Sequence, residues 1–235
     1  MGVVGNRIYE KIDRPSKELV ELFRGIPSSN INDEMERLYC MHDYIHPLNE
    51  VPLLGTAFTV KTAIGDNLFI HEALDMAKPG DVLVIDAGSG NNRSLAGEIM
   101  LTMAYKKGLA GVVIDGCLRD LDGIRKIPMA VYAKGITPQG PFKNGPGEIN
   151  VPVCCGGQVV FPGDILVGDQ DGIVVIHPQD AEAIAKAAIK KKQSEDETFE
   201  LMDSDFEAYL EKHKGSTEKM KNGKEISVHQ TAWNE

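Results

Sequence analysis

The sequence of 235 residues predicts an α/β protein, and three observations support this fold class. Between residues 51 and 133, short β-like runs alternate with segments of helical periodicity, the pattern of strands connected by helices. From residue 151 to 176, four short β runs are separated by tight turns, which favours antiparallel pairing. From residue 179 the periodicity indicates helix. A purely doubly wound parallel sheet does not accommodate the later hairpins.

The first third of the chain contains two helix signals and one strand signal. Residues 1–15 show no clear periodicity and are expected to form an arm. A short helix is predicted over 16–24 from its apolar side. A second is predicted over 28–38, because Ser and Asn are good N-caps and apolar residues recur at helical spacing. Residues 51–62 are β-like, with Gly55 as a bulge, and residues 66–77 form an amphipathic helix.

The middle of the chain contains the apolar runs expected at the centre of a sheet. Residues 82–85 predict a short strand buried on both faces, and residues 88–92 a polar loop of Gly and Asn. The order that follows is a helix over 97–107, a strand over 111–114, a loop, a helix over 121–126 and a strand over 129–133.

The last part of the chain changes from loop to hairpins to helix. Residues 135–148 are rich in Pro and Gly and predict a loop. Short β runs follow at 151–154, 158–161, 164–167 and 173–176. A helix over 179–193 continues into an acidic helix over 194–210, and residues 211–235 are polar with little periodicity, expected to be flexible or docked on a neighbour.

The composition excludes several classes of function. Lys+Arg 25 against Asp+Glu 35 gives a net charge of −10, which argues against nucleic acid as a partner. No apolar stretch reaches the length of a membrane span, and the N-terminus lacks the pattern of a signal peptide. The four cysteines have no CxxC spacing, so neither a zinc site nor a disulfide framework is indicated. We expect a protein of the reducing cytoplasm.

The strongest candidate for chemistry is Asp115-Gly116-x-x-Arg119-Asp120, which follows the strand over 111–114. A hard divalent cation such as Mg²⁺ can be held by one carboxylate, here Asp120, together with water and substrate oxygens. Arg119 carries a planar set of donors suited to a carboxylate or an enolate oxygen. The alternative is an ordinary Arg-Asp pair in a surface turn, and the spacing alone leaves both interpretations open.

The second candidate is Gly97-Glu98-Ile99-Met100 at the start of the predicted helix. A helix N-terminus offers unpaired N–H groups to an anion. The alternatives are a Gly that permits close packing and an acidic residue that interacts with the helix dipole. In the functional interpretation Glu98 orients a water molecule or relays a proton. None of the six histidines has a metal-binding spacing, and no P-loop or GxGxxG motif is present.

These two motifs, a helix and a strand apart, resemble those of the 4-hydroxy-4-methyl-2-oxoglutarate aldolase and regulator-of-ribonuclease-activity-A (RraA-like) family. Residues 55–60, 79–86 and 168–175 agree with the same family. The resemblance covers residues 28–195, which leaves an N-terminal arm and helix over 1–27 and a helical, polar extension over 196–235 as separate segments.

The resemblance implies a three-layer β/β/α sandwich like that of swivelling phosphohistidine domains, assembled as a homotrimer or a dimer of trimers. It implies a metal-dependent aldolase for pyruvate-type 2-keto acids, with oxaloacetate decarboxylase activity and Mg²⁺ or Mn²⁺ as cofactor. The N–H groups of Gly97–Met100 would hold the keto-acid carboxylate, Arg119 would contact the keto oxygen and Asp120 would ligate the metal. A neighbouring subunit would add a Glu, whose counterpart here is Glu195 or Glu197.

The implied reaction is retro-aldol cleavage or decarboxylation through an enolate, with Arg119 stabilising the developing negative charge. A rival of another class is a non-catalytic protein that regulates a ribonuclease by binding it. Regulators in this family lack the Asp after the Arg, whereas this chain has Asp120, which favours the enzyme. A phosphohistidine carrier is a weaker rival, because none of the six histidines lies in a Gly-rich loop.

Overall fold

The computed structural model describes residues 3–224 and divides into two compact units, Met1–Ile189 and Lys190–Glu235. The first unit contains all ten strands of the described chain. Their bounds are β1 His46–Pro47, β2 Leu53–Thr62, β3 Asp81–Ala96, β4 Gly111–Leu118, β5 Ala130–Ile136, β6 Gly147–Ile149, β7 Val153–Cys155, β8 Gln158–Val160, β9 Ile165–Gly168 and β10 Ile173–Ile176.

Eight strands form one mixed sheet in the order β1-β5-β4-β3-β2-β9-β10, with β6 paired to β2. The four central strands β2 to β5 are parallel, and the flanking pairings are antiparallel. The central strands are buried on both faces, which explains their nearly continuous apolar sequence. The predicted α/β class with parallel strands followed by hairpins is confirmed.

One face of the sheet packs against three helices, α3 (Leu68–Met76), α4 (Glu98–Lys106) and α5 (Leu121–Ile124). The opposite face packs against the two-stranded hairpin β7-β8. Successive side chains of a strand point to opposite faces, so Leu83 faces the helices while Val84 faces the hairpin. The domain is therefore layered as helices, large sheet and small sheet. Its likeness to phosphohistidine domains stays a prediction.

A third core covers the β9-β10 end of the sheet. It is formed by α1 (Lys17–Glu21), α2 (Ser28–Asp33) and the beginning of α6 (Ala181–Ser204), whose Ala181, Ala185 and Ala188 are buried. Ser16 caps α1, since its side chain accepts a hydrogen bond from the N–H of Leu19. The Ser and Asn cap expected for α2 is not formed, because Pro27 is its N-cap residue and makes no side-chain cap. The second unit contains the remainder of α6 and α7 (Phe206–Lys221).

The structure corrects four predictions of local structure. The polar loop over 88–92 lies within β3, which continues to Ala96 with three register shifts against β4. Gly55 is not a bulge, because β2 keeps a regular register with β9; a Cβ there would lie 2.6 Å from the carbonyl oxygen of Gly80. The helix over 28–38 ends at Asp33, and the positive φ angles of Glu36 and Arg37 exclude its continuation.

The fourth correction concerns the C-terminal segment. The acidic helix predicted over 194–210 is interrupted, because α6 ends at Ser204 and a new helix, α7, starts at Phe206. Residues 211–221, expected to be flexible or docked on a neighbour, belong to α7, which Asp205 caps by accepting from the N–H of Ala208. Residues 225–235 lie outside the described part of the chain. None of the helices within residues 3–224 is long and apolar enough to cross a bilayer.

The arm before α1 is fastened to the sheet by two bidentate ion pairs. Arg7 donates to both carboxylate oxygens of Glu148 at 2.7 and 2.9 Å. Arg14 donates to both oxygens of Asp81 at 2.8 and 2.7 Å, and the Asp81 side chain is only 1% exposed. The N–H of Tyr9 also donates to the carbonyl of Ile149 in β6. The arm is therefore an ordered strap although it contains no helix or long strand.

Candidate functional site

The two candidate motifs meet at the carboxyl ends of β3 and β4. These strands are parallel neighbours, so the segments that follow them leave the same edge of the sheet. β3 ends at Ala96 and leads through Gly97 into α4, while β4 ends at Leu118 and leads through Arg119 and Asp120 into α5. The N–H of Arg119 donates to the carbonyl of Ala96 at 3.1 Å, which ties the two exits together.

The close contact of this site is between Gly97 and Asp120. Gly97 has extended backbone angles (φ −145°, ψ −169°), which other residues adopt as well. A Cβ on Gly97, however, would lie 2.3 Å from Oδ2 of Asp120. The same Oδ2 accepts a hydrogen bond of 3.2 Å from the N–H of Glu98. The missing side chain of Gly97 thus allows the Asp120 carboxylate to rest on the N-terminus of α4.

The backbone also aims Asp120 at this position. Asp120 has φ 66° and ψ 44°, the left-handed conformation, which Asp tolerates better than most residues. It precedes α5, and its side chain is 46% exposed. Nε of Arg119 lies 3.8 Å from Oδ2 of Asp120, and Arg119 is 47% exposed, so both groups remain accessible to a ligand. A carboxylate and a guanidinium are thereby presented side by side.

A cavity of about 170 Å³ opens at this point. Five residues that the sequence singles out line it: Gly97, Ile99, Met100, Arg119 and Asp120. Seven further lining residues were missed: Asn67, His71, Ser94, Leu95, Ala96, Pro141 and Lys143.

Glu98 does not line the cavity. A Cβ on Gly123 of α5 would lie 2.2 Å from the carboxyl carbon of Glu98, so this side chain extends over α5. Its N–H, in contrast, belongs to the site through Asp120. The proposed proton-transfer role of Glu98 stays a prediction. Glu195 and Glu197, the candidates for an acid from a neighbouring subunit, lie in the part of α6 that belongs to the second unit, and their role also stays a prediction.

The missed residues come from the start of α3, the end of β3 and the Pro- and Gly-rich loop. Asn67 precedes α3 and donates to the carbonyl of Leu95 at 2.8 Å, while His71 lies one helical turn further along. The only local signal was the spacing of Asn67 and His71 by four residues, which puts them on one helix face. Lys143 belongs to the Pro- and Gly-rich loop, and the sequence does not predict where this loop lies in the fold.

The end of β3 holds this loop over the cavity. The N–H and the hydroxyl of Ser94 donate to the carbonyl of Gln139 at 2.7 and 3.0 Å. Nη1 of Arg93 donates to the carbonyl of Gly140 at 2.6 Å, and its guanidinium lies 3.9 Å from the centre of the Phe142 ring. These contacts fix Pro141 and Lys143 as one wall of the cavity.

Asp115, the first residue of the Arg-Asp motif, has a structural role on the other face of the sheet. It is 3% exposed, and its oxygens accept from the hydroxyl of Ser89 at 2.6 Å, the N–H of Gly156 at 3.1 Å and the hydroxyl of Tyr44 at 3.2 Å. Burial raises the pKa of Tyr44, so it remains a donor. Asp115 therefore anchors the irregular part of β3, and hence the loop that Ser94 and Arg93 hold.

The donor set fits a hard cation with few protein ligands. Within residues 3–224 there is no group of three His, Cys, Asp or Glu side chains that could hold a metal ion. Asp120 offers one exposed carboxylate beside cationic Arg119 and Lys143. Mg²⁺ is commonly bound by one or two carboxylates, several waters and the oxygens of its substrate. The site suits that mode of binding and not a cage built from protein ligands.

The fold and the site together define a class: a mixed α/β domain with a cavity at a helix N-terminus beside an Arg-Asp pair. Comparison with known proteins specifies the family. The model of the RraA-like family, described as aldolase/RraA, matches residues 28–175. The chain belongs to this family.

Individual relatives agree. A protein of Halalkalibacterium halodurans named "Putative 4-hydroxy-4-methyl-2-oxoglutarate aldolase" is 42% identical over 200 residues, 83% of this chain and 95% of that protein. A protein of Thermus thermophilus named 4-hydroxy-4-methyl-2-oxoglutarate aldolase is 35% identical over 111 residues, 47% of this chain and 68% of that protein. The solved structure of Streptomyces coelicolor RraAS2, described as an unusual member of the RNase ES inhibitor RraA family, has a TM-score of 0.71 at 28% identity, covering 79% of this chain and 98% of that one.

Proposed function

We propose that this protein is a divalent-metal-dependent aldolase and decarboxylase for pyruvate-type 2-keto acids, with 4-hydroxy-4-methyl-2-oxoglutarate aldolase-like and oxaloacetate decarboxylase activities. The observation that carries the proposal is the Asp120 carboxylate, which the absence of a side chain at Gly97 allows to lie at the N-terminus of α4 beside Arg119. The names of the relatives support the same reaction class.

Asp120 would hold the metal, Mg²⁺ or Mn²⁺. When bound, such an ion supplies Lewis-acid polarisation of the keto group. Asp120 is suited to this role because its carboxylate is accessible and its position is fixed by the backbone of α4 and by its own left-handed φ.

The N-terminus of α4 would bind the carboxylate of the keto acid. The N–H of Leu101 donates to the carbonyl of Gly97, and the N–H of Glu98 donates to Asp120. The N–H groups of Ile99 and Met100 have no acceptor within the helix, because they belong to its first turn. Both residues line the cavity, so their N–H groups can receive a carboxylate with the support of the helix dipole.

Arg119 would stabilise the charge that develops during bond cleavage. When the carbon–carbon bond breaks, its electron pair moves onto the keto group and gives an enolate oxygen, and the guanidinium donates to that oxygen. In retro-aldol cleavage the hydroxyl proton is lost as the second carbonyl forms, and a proton added to the enolate carbon gives pyruvate. The carboxyl group of Glu98 lies over α5 and does not line the cavity, so Glu98 would exchange these protons through a water molecule.

Lys143 and His71 extend the site beyond the pyruvate moiety. They line the same cavity as Arg119, so a negatively charged group on the far end of the substrate would find a cation there. This arrangement favours substrates with a second anionic group.

The test measures pyruvate release from a panel of 2-keto acids, including oxaloacetate, with Mg²⁺ and with Mn²⁺. We expect turnover by the wild type, loss of turnover after chelation and full recovery when Mg²⁺ is added back. Asp120→Asn should abolish metal-dependent turnover without changing the melting temperature. The matched control is Asp122→Asn. It removes the same charge two residues further along the chain, from a side chain that is 98% exposed. Turnover by Asp120→Asn equal to that of the control would reject the assignment.

A second candidate function is regulation of a ribonuclease by binding. It is favoured by the structural likeness to RraAS2, which is described as belonging to a family of RNase ES inhibitors. Absence of turnover with every keto acid, in a protein that is folded and metal-supplemented, would favour this function over the enzyme. We also propose that the chain assembles as a homotrimer or a dimer of trimers, which sedimentation velocity would test; a monomer at micromolar concentration would contradict it.

A further inference from the structure

Helix α7 presents an apolar stripe that the described chain leaves uncovered. Phe206, His213 and Met220 are spaced by seven residues, with Tyr209 and Leu210 between the first two. No residue of this 16-residue helix is buried, and Phe206 and Met220 are 56% and 68% exposed. The two ends of this repeat are apolar and its centre is an imidazole ring; a seven-residue repeat on one helix face is typical of helices that pair in a coiled coil.

The stripe is an organised surface of stacked rings. The ring centroids of Phe206 and Tyr209 are 5.8 Å apart, and those of Tyr209 and His213 are 6.0 Å apart, both pairs stacked. A helix of about 16 residues is only marginally stable in water by itself, because most helical stability in proteins comes from packing of one face. A partner on this face would therefore stabilise α7.

The charges along α7 indicate which partner fits. Every charged residue from 203 to 211 is acidic, namely Asp203, Asp205, Glu207 and Glu211. From 212 to 221, Glu218 is the single acid among four lysines, Lys212, Lys214, Lys219 and Lys221. A second copy of the same helix in antiparallel orientation places each acidic half beside a basic half, whereas a parallel copy places like charges together.

We propose that α7 pairs with α7 of a second copy of this chain, antiparallel and about a two-fold axis near His213. A two-fold axis makes the contact self-complementary and closed, so it joins assemblies in pairs and does not form fibres. The pairing lies outside residues 28–175, which match the family, and it is independent of the proposed reaction.

The test uses two charge-reversed variants of the full chain. Glu207→Lys with Glu211→Lys leaves one acid in α7 against six lysines, and Lys219→Glu with Lys221→Glu leaves five acids against two lysines. Neither variant alters the apolar stripe or the cap Asp205. We expect each variant alone to sediment with half the mass of the wild-type assembly at low micromolar concentration. The dissociation constant should rise at least about tenfold, because several attractive charge pairs become repulsive at both ends. An equimolar mixture should restore the wild-type mass, since a basic helix then meets an acidic one.

The mixture separates the proposal from simple loss of the helix, because an unfolded α7 would not be rescued by mixing. The control for the acidic variant, Lys11→Glu with Lys17→Glu, makes the same change in net charge as Lys219→Glu with Lys221→Glu, on exposed residues near the N-terminus, and should keep the wild-type mass. Variants that retain the wild-type mass would overturn the proposal. A mixture that stays at the lower mass would overturn it as well, and would assign the stripe to a different protein.

Discussion

The substitution Gly97→Ala tests the central contact of the site without removing any functional group. The added Cβ would lie 2.3 Å from Oδ2 of Asp120, 3.0 Å from Cγ of Arg119 and 3.2 Å from Cγ of Asp120. Ordinary contact requires about 3.4 Å, so the carboxylate must retreat by roughly 1 Å. A displacement of about 1 Å in a catalytic constellation can cost about 10²-fold in rate, which corresponds to about 2.7 kcal/mol. Ala readily adopts the backbone angles of Gly97, and Asp120 is half exposed, so stability should change little.

The assay is the initial rate of pyruvate release at saturating Mg²⁺, with the melting temperature measured on the same samples. We expect kcat to fall about 10²-fold while the melting temperature stays within a few degrees of the wild type. Gly215→Ala is the control, because a Cβ there meets nothing within 4 Å. If Gly97→Ala retained the wild-type kcat, the position of the Asp120 carboxylate would not govern turnover, and the assignment of the metal site to this contact would be wrong.

Three further predictions test the Arg of the site and the two ion pairs of the arm. Arg119→Lys should lower kcat and kcat/KM together by at least about 10², with an unchanged melting temperature; a rise confined to KM would indicate a binding role only. Arg14→Ala leaves the buried Asp81 carboxylate without its charged partner and should lower the free energy of unfolding by up to about 3 kcal/mol in urea titration, whereas Arg24→Ala, on an exposed pair, should be neutral. The hydrogen bond from Arg7 lowers the pKa of Glu148, so the ionised form stabilises the fold above the unfolded pKa of about 4.3, and this contribution is lost as the pH falls through the lower, folded value. The melting temperature of Glu148→Gln should therefore approach that of the wild type on acidification below about pH 4; a constant difference from pH 7 to 3 would contradict the linkage.

The site could be located from the sequence because its main residues follow neighbouring strands. Once 111–114 is recognised as a buried strand after a helix, Arg119 and Asp120 must leave the same edge of the sheet as Gly97. The contact that makes Gly97 necessary could not be inferred in the same way. It depends on the left-handed φ of Asp120, and an Asp in a turn signals that conformation only weakly.

The rest of the cavity was missed because it is assembled by long-range contacts. Lys143 reaches the site because Ser94 and Arg93 hold the loop that carries it, and those two residues directly follow residues 88–92, whose Gly and Asn predict a loop. Pairing with β4 at Gly90, Ser94 and Ala96 continues the strand through this segment despite its low strand propensity. Over 211–221 the polar composition gave little periodicity, although these residues continue the helix that begins at Phe206.

The strap formed by the N-terminal arm limits how far the chain can be truncated. The family match begins at residue 28, which suggests trimming recombinant versions to that point. Such a truncation would delete both Arg7 and Arg14, strip the backbone partner from Ile149 and leave the carboxylate of Asp81 sealed in the interior with no cation. Asp81 begins β3, the strand that ends at Ala96 beside the cavity, so the loss of its partner disturbs a strand that leads to the site. The segment that matches the family and the segment that the ion pairs of the arm hold together therefore begin at different residues. Expression trials should retain the residues from Gly5 onward.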